Sequence, residues 1–222
     1  IDNASDNDTI YVYSGIFNEN IVINKSISLI GQDRDTTKIL GANGTEIIRL
    51  QDCSVELTGF TIEKFNEIND VGIILTDCWN CYIHKNKVIY CGTGLLMGDT
   101  DSTVISNNTI FNCTTGMFIS VIANITITHN RIEGNGKGSG IELWGVAFGI
   151  LYKNYITRNS IMNYSLGLDL FGAWSVFIQQ NNFLGNVQDA AFMLSFLNKW
   201  NQNYWNQPSN LQKIIPGRLG MR

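Results

Sequence analysis

Six asparagines, Asn86, Asn108, Asn130, Asn154, Asn181 and Asn203, each stand three residues after one large apolar side chain and two before another, and they recur every 22 to 27 residues. The motif reads Ile83-x-x-Asn86-x-Val88 in its first copy, Leu151-x-x-Asn154-x-Ile156 in its fourth and Trp200-x-x-Asn203-x-Trp205 in its last. A second signal keeps pace with it, a small residue followed by alternating apolar positions. It reads Gly72-Ile-Ile-Leu75, Gly94-Leu-Leu-Met97, Gly116-Met-Phe-Ile119, Gly140-Ile-Glu-Leu143, Gly167-Leu-Asp-Leu170 and Ala191-Phe-Met-Leu194. A period in the twenties, made of short period-two segments separated by Asn and Gly turns, implies one solenoid coil per repeat.

A leucine-rich repeat has a similar period but needs leucines in a fixed frame and usually a helical segment. Here the in-frame residues are β-branched or Asn, which favours strands. A parallel β-helix also explains why a polar Asn recurs at an inward position. Its amide can bond to backbone at the turn and to the same Asn one coil away, satisfying groups that burial would otherwise leave unpaired. The six asparagines are therefore expected to stack as a ladder. Five residues further on, Cys91, Cys113, Asn135, Asn159 and Asn186 make a second expected inward series.

The 222 residues include 11% aromatics and only two prolines, enough apolar side chain for one long core, and 21 glycines supply the turns. One all-β domain of roughly seven to eight coils is expected, with 1–45 as N-terminal cap and first coil, 46–203 as repeat coils and 204–222 as C-terminal cap. In that cap Tyr204, Trp205, Ile214 and Ile215 would cover the core end, leaving Lys213, Arg218 and Arg222 to solvent. A net charge of −4 with 15% charged residues leaves no basic face for a phosphate backbone, so nucleic acid is not expected as a partner. No apolar run reaches about 18 residues, so no membrane span is expected. The chain has no initiator Met and opens on a segment with helical potential, Ile1-Asp-Asn-Ala-Ser, and is expected to be a mature product or an excised domain. Eight sequons, among them Asn24, Asn124 and Asn163, suit a secreted protein, although a chain so rich in Asn, Ser and Thr generates such matches by composition.

The stretch Asp8-Thr-Ile-Tyr-Val-Tyr-Ser-Gly-Ile-Phe-Asn-Glu-Asn-Ile-Val-Ile-Asn-Lys-Ser-Ile-Ser-Leu-Ile-Gly31, then Thr36-Thr-Lys-Ile39 and the Asn-x-Ile coils, resembles the right-handed, single-stranded parallel β-helix proteins of the pectate-lyase-like group. Within that group the chain is most similar to NosD-like, carbohydrate-binding and sugar-hydrolase repeat proteins of archaeal and bacterial surfaces. The resemblance covers nearly the whole chain and implies a secreted or cell-surface protein that contacts a polysaccharide or glycan. The group also contains lyases, hydrolases, epimerases, adhesins and a periplasmic copper-delivery protein, so fold alone does not choose an activity.

Activity must then be read from what faces outward. In each strand after the small residue the first and third side chains point in and the second points out, because faces alternate. The outward column reads Ile74, Leu96, Phe118, Glu142, Asp169, Met193, and the next reads Thr76, Gly98, Ser120, Trp144, Phe171, Ser195. Coils stack about 4.8 Å apart, so Glu142 and Asp169 are expected to be neighbours. Two adjacent carboxylates beside aromatic rings are what glycoside cleavage uses: one acid held protonated, one base or nucleophile, and flat faces for sugar. Glu142 and Asp169 are thus the candidate catalytic pair of a metal-independent hydrolase or lyase, with Trp144, Phe171, Phe118 and Trp174 as candidate substrate-binding residues. The loop Asn159–Ser165 is expected to wall the groove. Equally, the acids can simply face water and the aromatics can cover a patch, as in a non-enzymatic scaffold or adhesion module.

Asp52, Asp77 and Asp99 form a second acidic column that would need either a bridging cation, for which an all-oxygen site suits Ca²⁺, or turn chemistry in which each Asp accepts local backbone N–H bonds. No other cofactor is expected. Cys78-Trp-Asn-Cys81 followed by His84 has metal-ligand spacing but too few partners for a four-ligand zinc site. Buried thiols are the favoured reading, and five cysteines exclude a complete disulfide framework. The outward apolar run Ile74, Leu96 and Phe118 marks a face for a partner, for self-association or for sugar stacking.

Overall fold

A computed structural model describes residues 1–42, 44–64, 70–145, 152–205 and 217–218. Among them the regular elements are all strands, gathered in three parallel sheets of nine strands each. The chain visits the sheets in rotation. Thr9–Val12 opens the first sheet, Gly15–Asn18 the second and Ile21–Ile23 the third, and each later strand adds beside its counterpart one coil earlier. The result is a β-helix of about eight turns, with the right-handed sense that parallel crossovers adopt. The opening Ile1–Ser5 segment, expected to have helical potential, forms turns instead, and Ile1 and Ala4 pack on the core end.

Strand alternation directs Ile83, Ile105, Ile127, Ile156 and Ile178 inward from the first sheet, Val88, Ile110, Ile132, Ile161 and Phe183 from the second, and Leu75, Met97, Ile119, Leu143 and Leu170 from the third, nearly all at zero exposure. Glycine opens the third-sheet strands for a steric reason. A Cβ on Gly140 would stand 2.6 Å from the Gly167 carbonyl oxygen, and one on Gly167 would stand 2.4 Å from that of Asp189.

The ladder runs through Asn86, Asn108, Asn130, Asn159, Asn181 and Asn203. Each Nδ2 donates to the Oδ1 of the Asn one coil on, at 3.4, 3.1, 3.0, 3.0 and 3.1 Å in turn. This corrects two expectations: Asn159 belongs to the ladder and Asn154 does not. The residue before each ladder Asn has a left-handed φ, at Lys85, Asn107, His129, Arg158, Gln180 and Gln202; past this corner each amide donates to a first-sheet carbonyl of the preceding coil, Ile83 for Asn108, and accepts a backbone N–H there, that of Asn86. Asn154 instead begins a first-sheet strand, where its Oδ1 accepts the Ile125 N–H at 3.0 Å. Leu151, whose spacing suggested a frame for Asn154, lies outside the described residues.

The second inward series is Cys91, Cys113, Tyr164 and Asn186 rather than one containing Asn135 and Asn159. Asn135 is exposed and bonds Asn112, while the fully buried Tyr164 ring fills the space left by Gly134 and the Gly140 stretch. At the C-terminal end Trp205 stacks on Phe183 at 4.6 Å and lies 6.0 Å from Trp200, covering the core; Tyr204 points outward and is exposed, contrary to its expected capping role. Ile214, Ile215, Lys213 and Arg222 lie outside the described residues.

Candidate functional site

The third sheet carries the candidate site on its outer face. Ser139–Trp144 and Leu166–Phe171 are adjacent strands whose inward residues, Ile141, Leu143, Leu168 and Leu170, are fully buried and so hold both strands in place. Their register pairs Glu142 with Asp169 and Trp144 with Phe171, and the preceding coil sets Phe118 against Glu142. Phe118, Trp144 and Phe171 form a continuous aromatic array, with successive ring centroids 5.4 Å apart in both steps. Trp144 is 41% exposed and the two phenylalanines are half-buried. Trp174 is separated from the array by the Gly172 turn, and its ring lies 4.9 Å from Phe196.

Both acids are half-buried and held above the usual carboxylate range. For Glu142 partial burial is the main cause, a hydrogen bond with Ser139 works in the opposite sense, and the charge of Asp169 adds to the rise. For Asp169 burial alone is responsible. The two acids are like groups on neighbouring strands, so charge on either one disfavours charge on the other, and burial raises both. Ser139 is the contact that sequence reasoning overlooked. Strict alternation would set a residue three positions before the acid on the opposite face, and Ser139 is indeed buried at the start of the strand, so its contact with Glu142 was not legible in the spacing.

Three expectations for this face change. Met193 does not follow Asp169: the register sets Ala191 against Asp169 and Met193 against Phe171, because Asp189 rather than Ala191 is the counterpart of Gly167. Phe192 packs on the core as expected, but Leu194, expected inward, is exposed at a left-handed corner, and Ser195 is buried instead of outward. Residues 159–165 do not wall the groove, since Asn159 is in the ladder, Ser160–Met162 is a second-sheet strand and Tyr164 is core. The extra length of this coil falls between Trp144 and Asn154, of which 146–151 lie outside the described residues. Ile74 faces outward but is only 8% exposed, so the apolar column opens toward solvent at Leu96 and Phe118 rather than along its whole length.

Asp52, Asp77 and Asp99 are exposed and have φ values of 51°, 53° and 49°. Gly145, Gly172 and Leu194 take the same backbone state at the equivalent place in later coils. The column is therefore a left-handed corner, a conformation that Asp tolerates and Gly adopts freely. Among the described residues no three His, Cys, Asp or Glu side chains are arranged to hold a metal.

All five cysteines are free and buried. Cys53, Cys78 and Cys81 exchange hydrogen bonds that, together with burial, hold Cys53 and Cys81 above the ordinary thiol range; the same bonds, against burial, draw Cys78 below it. Their sulfurs are otherwise engaged with backbone: Cys53 donates to the Ile23 carbonyl, Cys78 to that of Thr76, and Cys81 accepts the Val55 N–H. His84 faces away from them. Its Nε2 lies 3.0 Å from Glu56, its Nδ1 3.4 Å from the Thr58 hydroxyl, and Tyr82 stacks on it at 3.9 Å. This network ties neighbouring first-sheet coils together, and its hydroxyl is buried. A cavity of about 390 Å³ is lined by Ile1, Ile10, Val12, Phe17, Leu29 and Ile39 at the N-terminal end of the core, and none of the candidate site residues lines it.

Three parallel sheets wound into one coil, an inward Asn ladder and a site presented on a flat outer sheet define the class as a single-stranded parallel β-helix. The chain belongs to the NosD family, whose model, described as periplasmic copper-binding protein, matches residues 1–218. No curated protein matches the chain in sequence. Among solved structures it is similar to ORF18 of Geobacillus virus E2, with TM-score 0.62, 15% identity, and coverage of 98% of this chain and 53% of the other. The alginate lyase of Paenibacillus sp. str. FPU-7 gives TM-score 0.58, 13% identity, and coverage of 98% and 92%. The enzymatically active domain of tailspike protein 2 from bacteriophage CBA120 gives 0.55, 13%, 87% and 38%. The chain thus spans well under two thirds of both viral proteins, and at these identities the likeness is one of fold. Among the described residues no helix is long and apolar enough to cross a membrane.

Proposed function

We propose that this protein acts outside the cytoplasm and binds a glycan chain along the outer face of its third sheet, with Glu142 and Asp169 as the acid pair of a glycosidase-type site. The observation that carries the reading is the array Phe118, Trp144 and Phe171, rings 5.4 Å apart on successive coils beside two half-buried carboxylates. A glycan lying along the solenoid axis would meet one ring per coil and place a glycosidic oxygen over the acids. Glu142, whose proton is held by burial and by the charge of Asp169, would protonate the leaving oxygen; Asp169 would act as base or nucleophile. Fold neighbours include proteins titled as an alginate lyase, an α-1,3-glucanase and a pectin methylesterase, which supports a saccharide ligand by analogy. The family's periplasmic description supports the location.

Copper, which the family description names, fits this chain poorly. The thiols that gather are nearly inaccessible and are bonded to backbone, and the described residues offer no other donor cluster.

The test is a glycan array followed by titration of the best ligand against Trp144→Ala, which should weaken binding at least about tenfold, or 1.4 kcal/mol. Release of reducing ends by the wild type that stops in Glu142→Gln and Asp169→Asn establishes turnover. Binding without any release makes the protein a lectin-like module. Binding that ignores Trp144 refutes the site.

A further inference from the structure

Six consecutive third-sheet strands, Val71–Thr76, Thr93–Asp101, Thr115–Ala123, Ser139–Trp144, Leu166–Phe171 and Gln188–Met193, contain no lysine or arginine. In the two outward columns that hold the array, Ile74 to Ala191 and Thr76 to Met193, the side chains are apolar, aromatic or small except at Glu142 and Asp169, and further along Thr93–Asp101 the exposed Asp99 and Asp101 add acids, not cations. The cations nearest in register bound the stretch. Arg49 lies three coils before Phe118 and is paired with Glu46, and Arg218 is in register with Met193, two coils beyond Trp144's partner Phe171. Lys137 precedes Ser139 in the turn that enters the site strand, five residues from Glu142. Among the described residues, the charges on the strands of the array itself are negative.

Resting on the glycan reading above, we infer that this face selects glycans without carboxylates, neutral or amino sugars, and rejects polyuronates, because the ring array is flanked by two acids and by no cation on six successive strands. A uronate chain stacked on Phe118, Trp144 and Phe171 would bring a carboxylate within a few ångströms of Glu142 or Asp169. At such separations like charges repel by about one to a few kcal/mol, depending on the local dielectric. A site for uronic acids instead needs Lys or Arg to pair the carboxylate. The similarity in fold to proteins titled as an alginate lyase and a pectin methylesterase therefore does not extend to the charge of this surface.

The experiment compares hexasaccharides of equal length on the intact chain by calorimetric titration at low and moderate salt: laminarihexaose, chitohexaose, chitosan hexamer, hexagalacturonate and hexamannuronate. At least one non-acidic hexamer should bind at least about tenfold more tightly than either uronate at low salt. The gap should narrow with added salt and in the Glu142→Gln/Asp169→Asn double variant. Uronates that bind as tightly as every non-acidic hexamer overturn the inference while leaving the site reading intact. An unchanged preference in the double variant, with circular dichroism showing the native fold, overturns the role given to the acids. Failure of all five ligands counts against the glycan reading itself.

Discussion

Replacing Asn130 by Leu tests the ladder where its geometry is most complete. The Asn130 Oδ1 accepts the Asn108 backbone N–H at 2.9 Å and the Asn108 amide at 3.1 Å, while its Nδ2 donates to the Ile105 carbonyl at 2.9 Å and to Asn159 at 3.0 Å. Leucine fills a similar volume but removes all four bonds. The Asn108 amide keeps the Ile83 carbonyl and the Asn159 Oδ1 keeps the Asn130 backbone N–H. The Asn108 N–H and the Ile105 carbonyl lose these partners in a dry interior. At about 1–3 kcal/mol for each of these two groups the loss sums to about 2–6 kcal/mol. For a domain of this size that lowers the thermal midpoint by roughly 4–24 °C. Asn154→Leu supplies the contrast. It orphans the Ile125 N–H but also removes an amide nitrogen that is buried without a partner among the described residues, so about 0–1 kcal/mol is expected. Calorimetry of the two variants decides the matter. Equal losses, or a midpoint in Asn130→Leu unchanged from wild type, refute the ladder as drawn.

The acid pair gives a prediction of opposite sign. Glu142 and Asp169 have folded-state values raised above their ordinary ones. They therefore favour the folded state fully only below the ordinary carboxylate range, and that contribution is lost as pH rises through the raised values. Glu142→Gln should accordingly be more stable than wild type at pH 7 and indistinguishable from it near pH 3, by midpoints measured across that range; a variant less stable at pH 7 contradicts the burial argument. Tyr164→Phe removes a hydroxyl that is buried with no partner among the described residues, so it should be neutral or stabilising by up to about 1 kcal/mol in urea unfolding; a loss above that reveals a hidden bond. The five thiols should resist a water-soluble disulfide reagent in the native protein and all react after denaturation, with no stoichiometric copper or zinc by elemental analysis; one metal per purified chain would reverse the assignment of these cysteines to the core.

Period, strand alternation and the pairing of Glu142 with Asp169 were legible in the sequence because Gly140-Ile-Glu-Leu143 and Gly167-Leu-Asp-Leu170 are equal frames. A glycine fixes the start of each, since a neighbouring carbonyl approaches too closely for any Cβ. Equal frames need no coordinates to be aligned. Tertiary structure decided the cases where two frames satisfy the same local pattern. Ile156 stands two residues after Asn154 and three before Asn159, so both asparagines fit the ladder motif, and only the bonds to Asn130 and Asn181 select Asn159. Likewise Ala191 resembles a strand-opening small residue, yet pairing sets it against Asp169 and leaves Asp189 opposite Gly167. Whether a cation lies near the acids, and how far burial raises their affinity for protons, depends on residues brought together from different coils. A repeating pattern constrains each coil by itself; the shift of one coil against the next is settled by hydrogen bonds and side-chain volume between coils, and the charge of the outer face is a product of that shift.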